Sequence, residues 1–507
     1  MTSEMTSPPP ANPEPPHAGS ALPDLAAEGR HRAEPAVARP GQTAEHDTDR
    51  PDAAGTTYVP APPARSDVQR WPDLDDVPTG PRAATYARVA RGLFHGIANR
   101  LDLTVRVGDG PDAQVWGRGG PVMVVRRPDE FFARVGRHGL IGFGEAYLVG
   151  AWDVPGEDEG ATPGALGELL TVLAAQMPNL VPQWMQRLRK AYVMRPPAFQ
   201  VSSKSNSRAN IAHHYDLSND LFTAFLDPTM SYSSALFEHQ EIPRTDAVGP
   251  LVVATAPDAR LGEPLADAQA AKIERLLDAA GVTEGSRVLE IGTGWGELAL
   301  RAARRGATVH SVTLSSEQQS LARTRVAEAG YADRVSVELC DYRDVEAPEG
   351  GYDAVVSVEM VEAVGHEYWT TYFQKIDEVL APHGRVGIQA IVMPHDRMLA
   401  TRSTYTWIHK YIFPGGMLPS VQVIDEVTRS ATSLRLADGV DRLSFGGHYA
   451  ETLRLWDENF LASWESHVTG LGFDATFARM WHFYLEYSRA GFASGYIDVQ
   501  QLVFTKG

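Results

Sequence analysis

The sequence predicts an α/β protein: a doubly wound, mostly parallel sheet, a smaller α+β domain before it, and a disordered tail at the N-terminus. Three observations predict this. The run Val288–Ile291, apolar except for Glu290, passes through Gly292, Gly294 and Gly296 into a helical segment, Leu298–Arg305. That is a strand, a tight turn and a helix, the first half of a nucleotide-binding βαβ unit. Beyond it, runs suited to strands (Thr308–Leu314, Val335–Cys340, Tyr352–Val358, Gly384–Ile391) alternate with helical patterns at Glu317–Ala329 and Tyr368–Leu380. Such alternation gives an open parallel sheet with helices on both faces. Finally, residues 1–80 are rich in Pro, Ala, Asp, Glu, Thr and Gly, with few large apolar side chains before Trp71. A segment of that composition buries too little surface to offset its ordering entropy.

The 507 residues suffice for two or three domains, and 43% hydrophobic with 22% charged residues is ordinary for a globular protein. A single cysteine, Cys340, excludes an internal disulfide framework and any Cys-rich metal site, and it fits a reducing cytoplasm. No metal site is expected, since His213 and His214 have no third ligand at suitable spacing. The net charge of −18 argues against a nucleic-acid partner. No run approaches the length of a membrane span, and the Pro-rich N-terminus has no apolar core of a signal peptide.

Folded sequence is expected from residue 81. Tyr86, Val89, Leu93, Phe94 and Ile97 recur at helical spacing, with Arg82, Arg88, Arg91 and Arg100 among them. Strands are expected at Leu103–Val107 and Pro121–Val125, and a helix around Phe131, Phe132 and Val135. A second helical region, about 165–193, ends in the basic and aromatic stretch Trp184–Lys190, which suits a membrane surface or a solvated face. This N-terminal domain, 81–195, leads through a linker, 196–210, into the domain 211–507. There, Pro243–Pro264 reads as a loose insertion and Ala266–Ala280 as an amphipathic helix. An insertion at about 395–450, with the bulky stretch Trp407–Pro419, could wall an apolar acceptor pocket.

Ligands of parallel sheets sit at the carboxyl ends of the strands. Glu290, Thr313 and Leu314, Asp341 and Tyr342, Glu359 and Glu362, and Gln389 to Ile391 all fall there. The turn reads E-x-G-x-G-x-G rather than the dinucleotide G-x-G-x-x-G, so there is no diphosphate to cradle. An acid before the turn suits a cationic ligand, such as the ammonium of S-adenosylmethionine. Cys340 reads as a buried packing residue.

At these residues the chain resembles the cyclopropane-fatty-acyl-phospholipid and mycolic acid cyclopropane synthases, which are S-adenosylmethionine-dependent C-methyltransferases. The matching words are His214-Tyr215-Asp216-Leu217-Ser218-Asn219-Asp220, Tyr232-Ser233, Leu289 to Gly296, Thr313-Leu314-Ser315 with Gln318, and Glu362 with Gly365-His366-Glu367. Further matches are Ile412 to Gly416 with Leu418-Pro419-Ser420, His448-Tyr449-Ala450 with Thr452-Leu453, and Gly495 to Asp498. The resemblance covers about 209–507 and, more weakly, 81–195; it is strongest to the actinobacterial branch linked to tuberculostearic-type 10-methyl or 10-methylene fatty acids. It implies the Rossmann-like class I methyltransferase fold. It also implies cofactor-binding roles for Tyr232, Ser233, Glu290, Gly292, Gly294, Gly296, Thr313, Leu314, Gln318, Asp341 and Tyr342.

The resemblance implies methyl transfer from S-adenosylmethionine to the cis double bond of an unsaturated phospholipid acyl chain, leaving a carbocation that a bound bicarbonate ion deprotonates. Glu362, Tyr449 and the backbone of Ile391 match the residues that hold bicarbonate. The family's cysteine is Ser234 here, where only the backbone N–H is needed, and its histidine is Gln389, which cannot relay a proton. The product is then a cyclopropane or a methylene/methyl-branched chain, and a saturated branch needs a separate reductase, since no second nucleotide-binding turn is present. Glu359, three residues before Glu362, shares its helical face if a helix has begun there, and is otherwise only its neighbour. The implied location is cytoplasmic, on the inner face of the membrane; the oligomeric state, a homo-oligomer included, stays open. A methyltransferase for a small soluble acceptor and a non-catalytic lipid-binding relative are the alternatives.

Overall fold

The computed structural model describes residues 59–62, 71–108, 110–155, 164–180, 218–258, 262–402 and 404–506, and the backbone alone at 178–180. Most of the expected tail, the Trp184–Lys190 stretch, the linker 196–210, His213 and the His214 to Leu217 part of the family motif lie outside these residues.

The N-terminal domain is a three-stranded sheet, β1 (Thr104–Val107), β2 (Gln114–Gly117) and β3 (Val122–Val125), ordered β2-β1-β3. β2 was not anticipated from the sequence. The helix Gly80–Ala98 begins with a proline in its first turn, where the missing N–H costs nothing. It packs on the helix Pro128–His138, with Phe94 edge-on to Phe131 at 5.3 Å. Its other side differs from the expectation of a packed apolar stripe: Tyr86, Val89 and Leu93 face solvent.

Order also begins before residue 81. Trp71 and Leu74 are buried in the same core as Phe131, and Trp71 Nε1 donates to Asp474 at 3.0 Å. A large indole can be buried here because Asp474 satisfies its N–H. That is the correction to a tail reaching residue 80.

The main sheet has ten strands. They are β4 (Glu241–Thr245), β5 (Pro250–Ala254), β6 (Arg287–Ile291), β7 (Thr308–Thr313), β8 (Val335–Leu339), β9 (Tyr352–Val358), β10 (Leu380–Val392), β11 (Leu434–Leu436), β12 (Gly439–Ser444) and β13 (Asp498–Lys506). The order is β4-β5-β12-β13-β10-β9-β6-β7-β8, with β11 beside β13. From β10 to β8 the strands run parallel, and β13 runs antiparallel to β10. Successive side chains of β9 enter opposite layers: Val355 packs with Trp369 and Phe373, while Ala354 and Val356 pack with Leu276 and Ala299. Burial on both faces is why this strand reads as a continuous apolar run.

Two expectations about the second domain change. Pro243–Pro264 is not loose: β4 and β5 form a hairpin on the edge of the sheet, where prolines are tolerated. The stretch 395–450 is not a separate insertion, because β12 pairs with β5 and β13. Its Trp407 and Tyr411 turn toward the N-terminal domain, where the helix Leu140–Leu148 brings Gly144 against the Trp407 ring. Glu145, fully buried, accepts from Lys410 at 2.7 Å and from Tyr411 at 3.0 Å.

Candidate active site

A cleft with about 1180 Å³ of empty space, part of it open to solvent, lies over the carboxyl ends of the parallel strands. Glu290 ends β6 beside it, Thr313 ends β7, Cys340 and Asp341 follow β8, and Glu359 follows β9. Tyr232, Ser233, Gly292, Gly294, Leu314, Gln318 and Tyr342 complete the walls. Of the expected cofactor residues only Gly296 lies off the wall; it is the N-cap of the helix Glu297–Arg304 with φ +91°. Gly292 cannot be another residue, since its φ is +96° and a Cβ there would stand 2.4 Å from Met360 Cγ. Cys340 is half-buried: it packs against the core around Val355 and Phe373 and also lines the cleft.

Glu290 is buried and accepts from the Ser311 hydroxyl, which also lies 2.7 Å from the Thr293 hydroxyl. Burial pushes its carboxyl up to about 8, against the smaller effect of Ser311. A cationic group arriving in the cleft would favour its charge. Thr313 donates to Gln318 at 2.9 Å and accepts the Ser315 N–H, fixing the start of the helix Ser316–Glu328. Asp341 is clamped by Arg343 (Nη2 2.6 Å, Nε 2.8 Å), and the Tyr342 hydroxyl, raised to about 12 by burial, makes no hydrogen bond within the described protein.

The residues expected to do chemistry converge on one point, and that point is Glu359. Its Oε1 accepts from the backbone N–H of Ser234 at 3.0 Å and from Gln389 Nε2 at 2.8 Å; its Oε2 accepts from the Tyr449 hydroxyl at 2.7 Å. These are the donors that the resemblance reserves for bicarbonate. Ile391 N–H, the remaining one, donates to Glu362. The residues present therefore do not fit a bicarbonate ion, because a carboxylate of the chain already occupies its donors. Nor do Glu359 and Glu362 share a helical face: Glu359 has φ +52°, and Val361–Val364 form a turn. The other oxygen of Glu362, Oε2, is buried without a hydrogen-bond partner.

Lys272 was not anticipated. Buried on the helix Leu265–Ala279, it donates to the Ser233 hydroxyl at 2.5 Å, and burial lowers its pKa to about 8 against the attraction of Glu359 and Asp227. Gln269, one turn earlier, donates to the carbonyl oxygen of Ser233 at 2.9 Å. Two polar residues at i and i+3 on the buried face of an otherwise amphipathic helix were the available signal. Tyr232 stacks on Trp456 and shares a 2.7 Å hydrogen bond with Tyr484, whose ring meets Phe413 edge-on at 5.9 Å. That part of the Trp407–Pro419 stretch does reach the site.

The family model described as mycolic acid cyclopropane synthetase matches residues 202–502. The tuberculostearic acid methyltransferase UfaA1 of Mycobacterium tuberculosis is 50% identical over 87% of this chain and 96% of its own. A cyclopropane-fatty-acyl-phospholipid synthase of Escherichia coli is 33% identical over 76% of this chain and 87% of its own. The crystal structure of mycolic acid cyclopropane synthase CmaA1 complexed with SAH and CTAB superposes with a TM-score of 0.50, at 29% identity, over 61% of this chain and 99% of that one. By these matches and by its sheet order, the chain belongs to the mycolic acid cyclopropane synthetase family and is an S-adenosylmethionine-dependent methyltransferase of the class I fold.

Proposed function

We propose that the enzyme transfers the methyl group of S-adenosylmethionine to the cis double bond of an unsaturated fatty acyl chain, carried in a membrane phospholipid. The observation that carries this reading is the continuity of the cleft. The Gly-rich turn, Glu290 and Glu359, the last with its ring of donors, all line it. The methyl donor and the centre of proton chemistry then share one space.

Glu290 and the turn hold the methionine end, while Thr313, Leu314 and Gln318 hold the adenosine end at the next strand. An alkene needs no base to attack a sulfonium methyl, so the task before methyl transfer is alignment in a site that excludes water. Tyr232, Trp456, Tyr484 and Phe413 supply apolar faces for that purpose. Tyr449, Gln389, Ser234 and Glu362 act afterwards, when the cation must lose a proton.

Phospholipid rather than free acid is favoured by the match to the Escherichia coli enzyme, which extends into the N-terminal domain. Association with the inner membrane face is supported by the exposed Tyr86, Val89 and Leu93, spaced along one side of a helix that also carries Arg82, Arg88 and Arg91. Among the described residues no helix is long and apolar enough to cross a membrane. The product is a cyclopropane or a methylene chain, the latter completed to a methyl branch by a separate reductase.

The test is expression in an oleate-rich bacterial host fed methyl-labelled methionine, with lipid classes separated before mass spectrometry of the acyl chains. Label in the phospholipid acyl chains is the expected result. Label confined to free acids would overturn the phospholipid assignment, and no labelled acyl chain would overturn the reading as a whole.

A further inference from the structure

We propose that the carboxylate of Glu359 is the base that removes the proton from the methylated cation, in the place where a bicarbonate ion would otherwise be held. This rests on the acyl-methylation reading above. Three features of the chain point to it.

The first is donor geometry. A carboxylate oxygen has two lone pairs. Both at Oε1 are engaged, by the Ser234 N–H and Gln389 Nε2, whereas among the described residues Oε2 accepts only the Tyr449 hydroxyl. One lone pair of Oε2 is left to take a proton, and the side chain is half-buried on the cleft wall. The second is backbone. Glu359 is one of three non-glycine residues at positive φ among the described residues, and its N–H is tied to the Gln389 carbonyl oxygen at 2.7 Å. That conformation turns the chain sharply after β9, and residues held so cluster at functional sites. The third is charge. Glu362 is pushed up to about 8, first by burial and next by the charge of Glu359, so at neutral pH it carries the proton of the pair. Burial raises the Glu359 carboxyl above its ordinary range as well, the attraction of Lys272 and the three donors opposing that rise, and a raised carboxylate is the stronger base.

The step balances without any further reactant. The alkene π pair forms the bond to the methyl carbon as the methyl–sulfur bond breaks onto sulfur, leaving S-adenosylhomocysteine and a cation on the other alkene carbon. Oε2 of Glu359 then takes a proton from the transferred methyl group. If the freed C–H pair closes on the cationic carbon, the product is a cyclopropane. If a hydride first moves to that carbon from the one bearing the methyl group, the same pair forms the exocyclic methylene. In both cases the proton comes from the former methyl carbon, so one base serves either product.

The experiment uses the full-length enzyme, methyl-labelled S-adenosylmethionine and vesicles of oleoyl phosphatidylglycerol, in buffer stripped of carbon dioxide and again with added bicarbonate. The wild-type rate is expected to be the same in both. Glu359→Gly, which removes the carboxylate at a backbone angle glycine accepts readily, should lose about 100-fold and regain much of it with bicarbonate bound to the vacated donors. Glu359→Gln fills the space without a proton acceptor, and it should be as slow with bicarbonate as without. Titration with S-adenosylmethionine checks that both variants keep a folded cofactor cleft. A wild-type rate that rises with bicarbonate, or a Glu359→Gln enzyme at the wild-type rate, overturns the inference and leaves the proposed function standing. A wild-type enzyme that labels no acyl chain under either condition overturns the proposed function itself.

Discussion

Gln501 Nε2 donates to Gln389 Oε1 at 3.2 Å, and this bond determines which end of the Gln389 amide faces Glu359. With its oxygen held, Gln389 must present its NH2 group, which reaches Glu359 Oε1 at 2.8 Å. Gln501 is itself held from outside the site: Arg275 Nη1 donates to its Oε1 at 2.6 Å. The orientation of the amide next to Glu359 is thus set two residues away.

Gln501→Leu should therefore lower kcat roughly 10-fold while leaving the affinity for S-adenosylmethionine unchanged, because a loosened amide costs alignment rather than binding. Gln501→Glu should be worse than Gln501→Leu. It offers only acceptors, so it draws the Gln389 NH2 toward itself and turns the amide oxygen onto Glu359. Steady-state kinetics with separate kcat and KM check both, and equal losses in the two variants would count against the orienting role.

Glu290 gives a pH dependence with a definite sign. Its folded pKa, about 8, stands above its ordinary value of 4.5, so the ligand-free protein keeps a proton that the unfolded chain releases. The associated stability is complete below about 4.5 and is lost as pH rises through about 8. The melting temperature of the ligand-free enzyme should fall across that window, and less so for Glu290→Gln. Glu362, also near 8, keeps part of the slope in that variant. The ammonium of S-adenosylmethionine should drive the proton off Glu290, so binding at neutral pH releases protons. Calorimetry in two buffers of different ionisation enthalpy measures that release, which Glu290→Gln should largely abolish.

Much of this arrangement was readable in advance, and the unread part has identifiable causes. The strand, turn and helix around Glu290 showed because burial on both faces leaves a continuous apolar run and positive φ demands glycine. Tyr449 and Gln389 were found through motif words. Glu359 is legible as a strand-end acid, but its central place is not, because nothing local marks a glutamate that will adopt φ +52°; packing against β10 and the Ser234 loop reveals it. The hairpin of β4 and β5 was hidden by Pro243 and Pro250, which read as loop signals although an edge strand accepts them. Tyr86, Val89 and Leu93 have the periodicity of a buried face but are exposed, and periodicity alone does not distinguish the two.

Gln389→His tests whether a proton-accepting side chain at position 389 speeds removal of the proton from the cation. Glutamine holds the carboxylate but cannot pass a proton on at neutral pH, whereas histidine can. Faster removal leaves the cation less time for a hydride shift, so the cyclopropane share of the product should rise relative to methylene. Mass spectrometry of the acyl chains gives that ratio directly. An unchanged ratio would mean that position 389 only positions Glu359.

The contact between the two domains should be stabilising through Lys410. Glu145 is fully buried on the helix Leu140–Leu148, and Lys410 joins it at 2.7 Å while also reaching Asp73 at 2.9 Å. Burial, the largest single influence on the Glu145 carboxyl, raises it, but the bond from His138 with the attraction and bond of Lys410 together outweigh burial and keep it below its ordinary pKa. Lys410→Met would leave the Tyr411 hydroxyl, and His138 at 3.4 Å, as the only partners of a buried charge. Losing one member of a buried pair costs about 3 kcal/mol, so the denaturant midpoint should drop clearly. Adding Glu145→Gln to Lys410→Met removes the stranded charge and should restore most of the loss. Recovery in the double variant is the decisive observation, because a purely steric effect of methionine would persist in it.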